Sequence, residues 1–194
     1  MEPDCGNGQP RIPAEERLNV FALVTYIPGP LGSFLDKLHR ELVPGCSPHA
    51  HVSLLPPRPL PGDWHDAREQ VRELLEAAEP FEIELKDVAV FPITEVVYVE
   101  VGAGSRELRS LHDAMNSRAL EFREPFAYHP HVTIAQELPR GAVAAARELA
   151  ERRWEEFGGE RRFRAEHAVL VQNTLSNYWI DLATFSLGAV PAKL

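Results

Sequence analysis

Apolar positions along the chain switch repeatedly between a period of two and a period near 3.6, which predicts strands alternating with helices. Residues 18–27 (LNVFALVTYI) are apolar and β-branched almost without interruption up to Pro28-Gly29-Pro30, the pattern of a buried strand. Phe34, Leu35, Leu38 and Leu42 then recur at helical spacing as far as Pro44-Gly45. Residues 49–55 (HAHVSLL) alternate as a strand, which Pro56-Pro57 should end. Asp63 is a candidate N-cap for a second helix, with Trp64, Ala67, Val71, Leu74, Leu75 and Ala78 in one stripe and Pro80 beyond it. Residues 81–90 and 95–101 read as a hairpin-like pair of strands joined across Phe91-Pro92-Ile93-Thr94. Ser105 can cap a third helix that buries Leu108, Leu111 and Met115, and residues 129–135 (HPHVTIA) are again a strand. A fourth helix over about residues 141–157 carries Val143, Ala146, Ala150, Trp154 and Phe157 on one face and stops at Gly158-Gly159. Strands at 163–172 and 178–187 complete the order.

Strand, helix, histidine strand, helix and strand thus occur twice. Leu35-Asp36-Lys37-Leu38-His39 and Leu108-Arg109-Ser110-Leu111-His112 occupy matching helices, and the second histidine strand follows the first by 131 − 51 = 80 residues. Duplication is the simplest account. It predicts an α+β fold of two lobes related by a pseudo-two-fold axis, with both histidine strands near that axis.

Composition changes this picture little. A chain of 194 residues, 44% hydrophobic and 25% charged, is long enough for a substantial core and ordinary for a soluble protein. We expect residues 1–16, rich in Gly, Pro and charge, to be a flexible tail and 17–194 to be a single two-lobed, monomeric unit. No apolar run approaches the roughly 20 residues of a bilayer span, and the first residues do not read as a leader, so no membrane partner and a cytoplasmic location are expected. The net charge of −9 argues against a grip on long-duplex nucleic acid while leaving room for a small nucleotide or an RNA end. Cys5 and Cys46 are the only cysteines, which supports neither a disulfide framework nor a thiolate zinc site.

The candidate chemistry lies in the duplicated strands. On each, residues two apart share a face, so His49, His51 and Ser53 are expected to point one way, as are His129, His131 and Thr133. Cleaving a phosphodiester without a metal needs a base for the attacking oxygen, an acid for the leaving oxygen and donors for the nonbridging oxygens. Histidine suits both proton roles, with an ordinary pKa of about 6.5. A hydroxyl two residues along the strand, roughly 6 to 7 Å away, suits the third role.

The paired motifs His51-Val52-Ser53-Leu54 and His131-Val132-Thr133-Ile134 resemble those of the two-histidine (2H) phosphoesterases, which include RNA 2',3'-cyclic phosphodiesterases and the 2'-5' RNA ligases. The resemblance spans about residues 18–187, including Phe91-Pro92 and a closing Phe185-Ser186-Leu187. It implies a LigT-like bilobal fold, with a mainly antiparallel sheet in each lobe, outer helices and a central cleft. It implies no cofactor and no metal. It also implies hydrolysis of a 2',3'-cyclic phosphate or a 2'-5' linkage, on an RNA 3' end or a small nucleotide. His51 and His131 would be the catalytic pair, and Ser53 and Thr133 the phosphate binders. Which histidine is the acid depends on how the substrate lies; the assignment taken is His131 as base and His51 as acid. Phe91 stands where such proteins place a base-stacking ring. His49, His129, Tyr128 and Tyr178 are candidate substrate-binding residues at the cleft.

Other readings of the same residues remain. A non-catalytic nucleotide or RNA-end binding module could keep the fold, and two His-x-His pairs could supply four nitrogens to a metal. Ser53 and Thr133 are poor metal ligands and good phosphate donors, which favours the phosphoesterase reading. His39, His65, His112 and His167 read as surface or packing residues, and Arg58 as a loop cation within reach of a phosphate.

Overall fold

Residues 12–46 and 49–188 are described by a computed structural model. Most of the expected tail lies outside them; its last part includes a 3-10 turn at Ala14–Glu16.

The unbroken apolar run of the first strand, β1 (Arg17–Tyr26), is explained by what covers it. It lies between two other strands, and its faces enter different clusters: Phe21 and Leu23 join the main core, Ala22 and Val24 a small cluster with Val169 and Val171 on the opposite face. Helix α1 (Gly29–Leu42) begins five residues before the apolar spacing starts, because Pro30 in its first turn has its backbone pre-set for a helix. Its start is seated so tightly on the end of β1 that a Cβ at Gly32 would stand 1.9 Å from the Ile27 carbonyl oxygen.

Strand β2 runs over His51–Arg58 and does not stop at Pro56-Pro57. It is an edge strand, where missing N–H groups do no harm, and its register against β1 slips between the Phe21–Arg58 and Leu23–Leu55 pairs, so the prolines occupy a bulge. Helix α2 (Trp64–Glu76) is capped as expected, with the Asp63 carboxylate accepting from the His65 N–H. β3 (Phe81–Val90) and β4 (Val97–Val101) form the predicted antiparallel pair. Helix α3 (Ser105–Met115) is entered through Gly104 at φ +86°, and Ser105 makes no side-chain cap. A Cβ on Gly104 would lie 2.6 Å from the Glu82 carbonyl oxygen. β5 (His131–Ala135) and α4 (Val143–Glu156) follow.

The expected strand at 163–172 is two strands. Phe163, Ala165, Ala168 and Leu170 are all buried, so the apolar pattern continues while the chain changes lobe at Glu166. β6 (Arg162–Ala165) pairs with β3, whereas β7 (His167–Thr174) pairs with β1 and with β8 (Trp179–Ser186).

Two four-stranded antiparallel sheets result, ordered β2-β1-β7-β8 and β5-β4-β3-β6, each with its histidine strand at one edge and the strand that precedes it, β1 or β4, beside it. The helices cross between them. α1, which links β1 to β2, packs against β5; α3, which links β4 to β5, packs against β2; α2 and α4 cover β8 and β3. One hydrophobic cluster therefore runs through both lobes. Both histidine strands are edge strands, and they approach one another. Among the described residues no helix is long and apolar enough to cross a membrane.

Candidate active site

Register fixes what faces the groove between the sheets. In an antiparallel pair, residues opposite one another share a face. Tyr26 opposes His51, Val24 opposes Ser53 and Val169, and Val171 opposes Asp181, so all of these lie on one face of the first sheet. In the second sheet Glu100 opposes His131 and Tyr98 opposes Thr133. The burial pattern of the two motifs is identical over five residues, with His, Ser or Thr half-buried and the intervening Val buried.

Each central histidine is locked the same way. His51 Nδ1 lies 2.7 Å from the His49 carbonyl oxygen and His131 Nδ1 lies 2.6 Å from that of His129. A carbonyl only accepts, so each Nδ1 carries the proton and donates, leaving Nε2 as the nitrogen that exchanges protons in the groove. Burial pushes both imidazoles below their ordinary proton affinity, and His131 is lowered further by the charge of His129 and of His51. His51 is likewise lowered by the charge of His49, but besides the His49 carbonyl it has a carboxylate in its favour: Asp36 of α1, which accepts from the Ala50 N–H at 2.7 Å and favours protonated His51. No carboxylate acts on His131 in that way. Neither Ser53 nor Thr133 has a side-chain hydrogen bond among the described residues, so both hydroxyls are available to a ligand.

The outer histidines precede the strands, which begin at the second histidine of each motif, and each meets the same aromatic side chains as its central partner. The half-exposed His49 ring stacks on Tyr26 with centroids 3.6 Å apart, and the Tyr26 hydroxyl donates to Asp181 at 2.7 Å. His129 stands edge-on to Phe91 and Tyr98, with Nε2 3.8 Å from a Glu100 oxygen and no hydrogen-bond partner. Their main chains orient the central rings; their side chains line the rim. Among the described residues no three His, Cys, Asp or Glu side chains are placed to hold a metal ion.

Phe91 stacks on Tyr98 at 4.0 Å and meets His131 edge-on at 4.9 Å, beside the second motif. Tyr178 lies close enough to Tyr26 to act on its ionisation. Tyr128 is committed elsewhere: its hydroxyl donates to the Ser53 carbonyl and its ring stacks on His112. Arg58 is 2% exposed and faces inward, donating to Pro56, Asn116, Leu120 and Glu124, so it is a structural cation and no phosphate ligand. His112 is buried in the same network.

A sequence profile described as the 2'-5' RNA ligase superfamily matches residues 33–176. The chain belongs to that superfamily. Solved structures share its fold: LigT of Escherichia coli, solved with phosphate, superposes with a TM-score of 0.60 at 14% identity, over 89% of this chain and 97% of LigT. The complex of LigT with 3'-AMP gives 0.62 at the same identity. Usb1 of Kluyveromyces marxianus, solved with uridine monophosphate, gives 0.54 at 14% identity over 87% and 98% of the two chains. By sequence the chain is similar to candidate phosphoesterases of Geobacillus sp., 31% identical over 104 residues, and of Bacillus licheniformis, 35% identical over 69 residues. These matches cover 49% and 35% of this chain and span only 60% and 40% of the relatives' own lengths.

Sequence reasoning about this superfamily member missed Tyr26, Asp181, Tyr98, Glu100 and Asp36. For Tyr26 a signal was present: it ends the apolar strand immediately before a Pro-Gly-Pro turn, and pairing that strand with the next would have set it beside a histidine. Asp181 and Asp36 come from distant segments and carry no local mark.

Proposed function

We propose that the protein is a metal-independent phosphodiesterase that hydrolyses a 2',3'-cyclic phosphate or a 2'-5' phosphodiester on an RNA 3' end or a small nucleotide. The observation that carries this reading is the matched pair of imidazoles, each with Nδ1 tied to the main chain and Nε2 left for proton exchange, on two edge strands that meet. The ligands of LigT and Usb1, phosphate and nucleoside monophosphates, supply the substrate class by analogy.

Superfamily membership leaves the division of labour open, and the charges around each ring support one assignment. Burial lowers the proton affinity of both rings, a neighbouring imidazole lowers each further, and only His51 has a carboxylate, Asp36, acting the other way; on that difference His51 is taken as the protonated acid and His131 as the neutral base. His131 Nε2 takes a proton from water as the water oxygen attacks phosphorus. His51 Nε2–H delivers its proton to the leaving 2' or 3' oxygen as the P–O bond breaks. The Ser53 and Thr133 hydroxyls donate to the nonbridging oxygens, whose charge grows as the reaction proceeds. Phe91 and the Tyr26–His49 stack offer flat surfaces to a base on either side.

The test is turnover of 2',3'-cyclic nucleotides by wild type, His51→Gln and His131→Gln. Each substitution should lower kcat about 10²- to 10⁴-fold, the usual share of a positioned acid or base. The wild-type rate should be bell-shaped in pH and indifferent to EDTA. Turnover that survives both substitutions, or that disappears in chelator, removes the reading.

A further inference from the structure

One hydrogen bond joins the two histidine motifs directly. Tyr128, three residues before His131, donates its hydroxyl to the carbonyl of Ser53, two residues after His51, at 2.7 Å. It therefore runs from the segment entering β5 of one sheet to β2 of the other.

Several contacts keep the phenol from swinging away. Its ring lies flat on the His112 imidazole, with centroids 4.0 Å apart and an interplanar angle of 3°. His112 is 5% exposed, and its two nitrogens lie 2.9 Å from Glu124 Oε1 and 3.0 Å from Asp113 Oδ1. Arg109 of α3 donates to the Tyr128 carbonyl at 2.5 Å, fixing the main chain as well. Burial pushes the phenol well above its ordinary pKa, so it remains a donor at any working pH.

The duplication repeats the grip with other groups. Thr133 is the equivalent of Ser53, and His39 of α1 is the equivalent of His112. α1 packs on β5, and the Thr133 main chain lies close enough to His39 to favour its charged form. In each half the main chain of the phosphate-binding residue thus meets a group from the other half, and for Ser53 that contact is a hydrogen bond. Between β2 and the segment entering β5, Tyr128 makes that bond and the helix histidine serves as its platform.

We propose that Tyr128 is a positioning residue whose hydroxyl, by tying Ser53 to the segment entering β5, sets the separation of the His51 and His131 rings. This rests on the proposed function only in taking those rings as acid and base. The hydroxyl is spent on a carbonyl, so it acts through the histidines and does not touch substrate.

The experiment is an NMR titration of the imidazole C–H signals of His51 and His131 in wild type and in Tyr128→Phe, with the two single glutamine variants for assignment. Asp36, His39 and His49 around His51, and His129 around His131, are common to both proteins, so a difference reports the spacing of the pair. Two coupled groups titrate further apart the closer they stand. In Tyr128→Phe the two midpoints should converge, and kcat on a 2',3'-cyclic nucleotide should fall about 10- to 100-fold, the scale of an ångström of misplacement, with KM within about twofold. A purely structural role would lower the melting temperature and leave the midpoints in place. Titration curves that overlay those of wild type overturn the proposal. Should Tyr128→Phe not fold, Arg109→Met, which frees the Tyr128 main chain and keeps the ring, is titrated instead with the same two outcomes. A wild type inert towards every cyclic nucleotide removes the hydrolysis reading alone, because the titration needs no substrate.

Discussion

Removing the Glu124 carboxylate is the most severe single change that the network beside the site should show. Arg58 is almost wholly enclosed, and burial pulls its proton affinity down while Glu124 holds it up. Its Nε donates to the Pro56 carbonyl at 3.0 Å and Nη1 to Asn116 Oδ1 and the Leu120 carbonyl at 2.9 and 3.1 Å; Nη2 has Glu124 alone. Glu124→Ala therefore leaves a guanidinium charge without its counter-ion, and deprives His112 Nε2 of its partner at 2.9 Å. Breaking a buried ion pair by removing one member costs about 3–5 kcal/mol. At about 2–4 °C per kcal/mol for a chain of this size, the melting temperature should fall by about 6–20 °C. Arg58→Met should cost less, because Glu124 keeps His112. In the double variant the stranded charge is gone, so its loss should be smaller than the sum of the two single losses by at least about 1 kcal/mol. Urea unfolding of the four proteins reads this directly. A Glu124→Ala loss under 1 kcal/mol, or strict additivity, would refute the claim that Arg58 is held in place by this pair.

Two further outcomes follow from the geometry. Asp36→Asn keeps an acceptor for the Ala50 N–H but removes the charge that favours protonated His51, so the proton affinity of His51 drops further. If His51 is the acid, the alkaline limb of the rate profile moves to lower pH, so turnover along that limb falls several-fold while the acid limb is nearly unchanged, and an unmoved alkaline limb would reassign the acid. Gly104→Ala meets the Glu82 carbonyl oxygen at 2.6 Å in a left-handed conformation, so it should destabilise by about 1–3 kcal/mol in urea without changing KM; a neutral result would mean that α3 can shift its entry freely.

The duplicated motif was legible because its two copies share residue type, period and context, and period alone fixes which side chains share a strand face. The elements around it were legible for the same reason, down to Asp63 as a cap. What local pattern does not carry is the destination of a strand. Phe163 to Leu170 alternates smoothly through Glu166 because each side of the break buries its apolar residues, although in different sheets. Pro56-Pro57 looked terminal because edge placement and a bulge, which make the prolines harmless, are properties of the sheet. Arg58 looked like a phosphate ligand because its partners Asn116, Leu120 and Glu124 lie some sixty residues away in sequence.

The same limit explains why the motifs could not divide the labour between themselves. Two identical His-x-Ser/Thr strands would titrate alike, whereas acid-base catalysis needs one ring charged and the other neutral. The difference arises in the crossed helices. Ala50 has an N–H that Asp36 accepts, and this brings a carboxylate beside His51. Its equivalent, Pro130, has no N–H to offer, and the helix position equivalent to Asp36 is Arg109, which donates to the Tyr128 carbonyl instead. A single change from a donor to an imino acid before the histidine thus allows the opposite charge on the helix beneath. The backbone symmetry keeps both imidazoles in the same tautomer, and the broken charge symmetry sets the Asp36 carboxylate beside His51 where the other half has the Arg109 guanidinium.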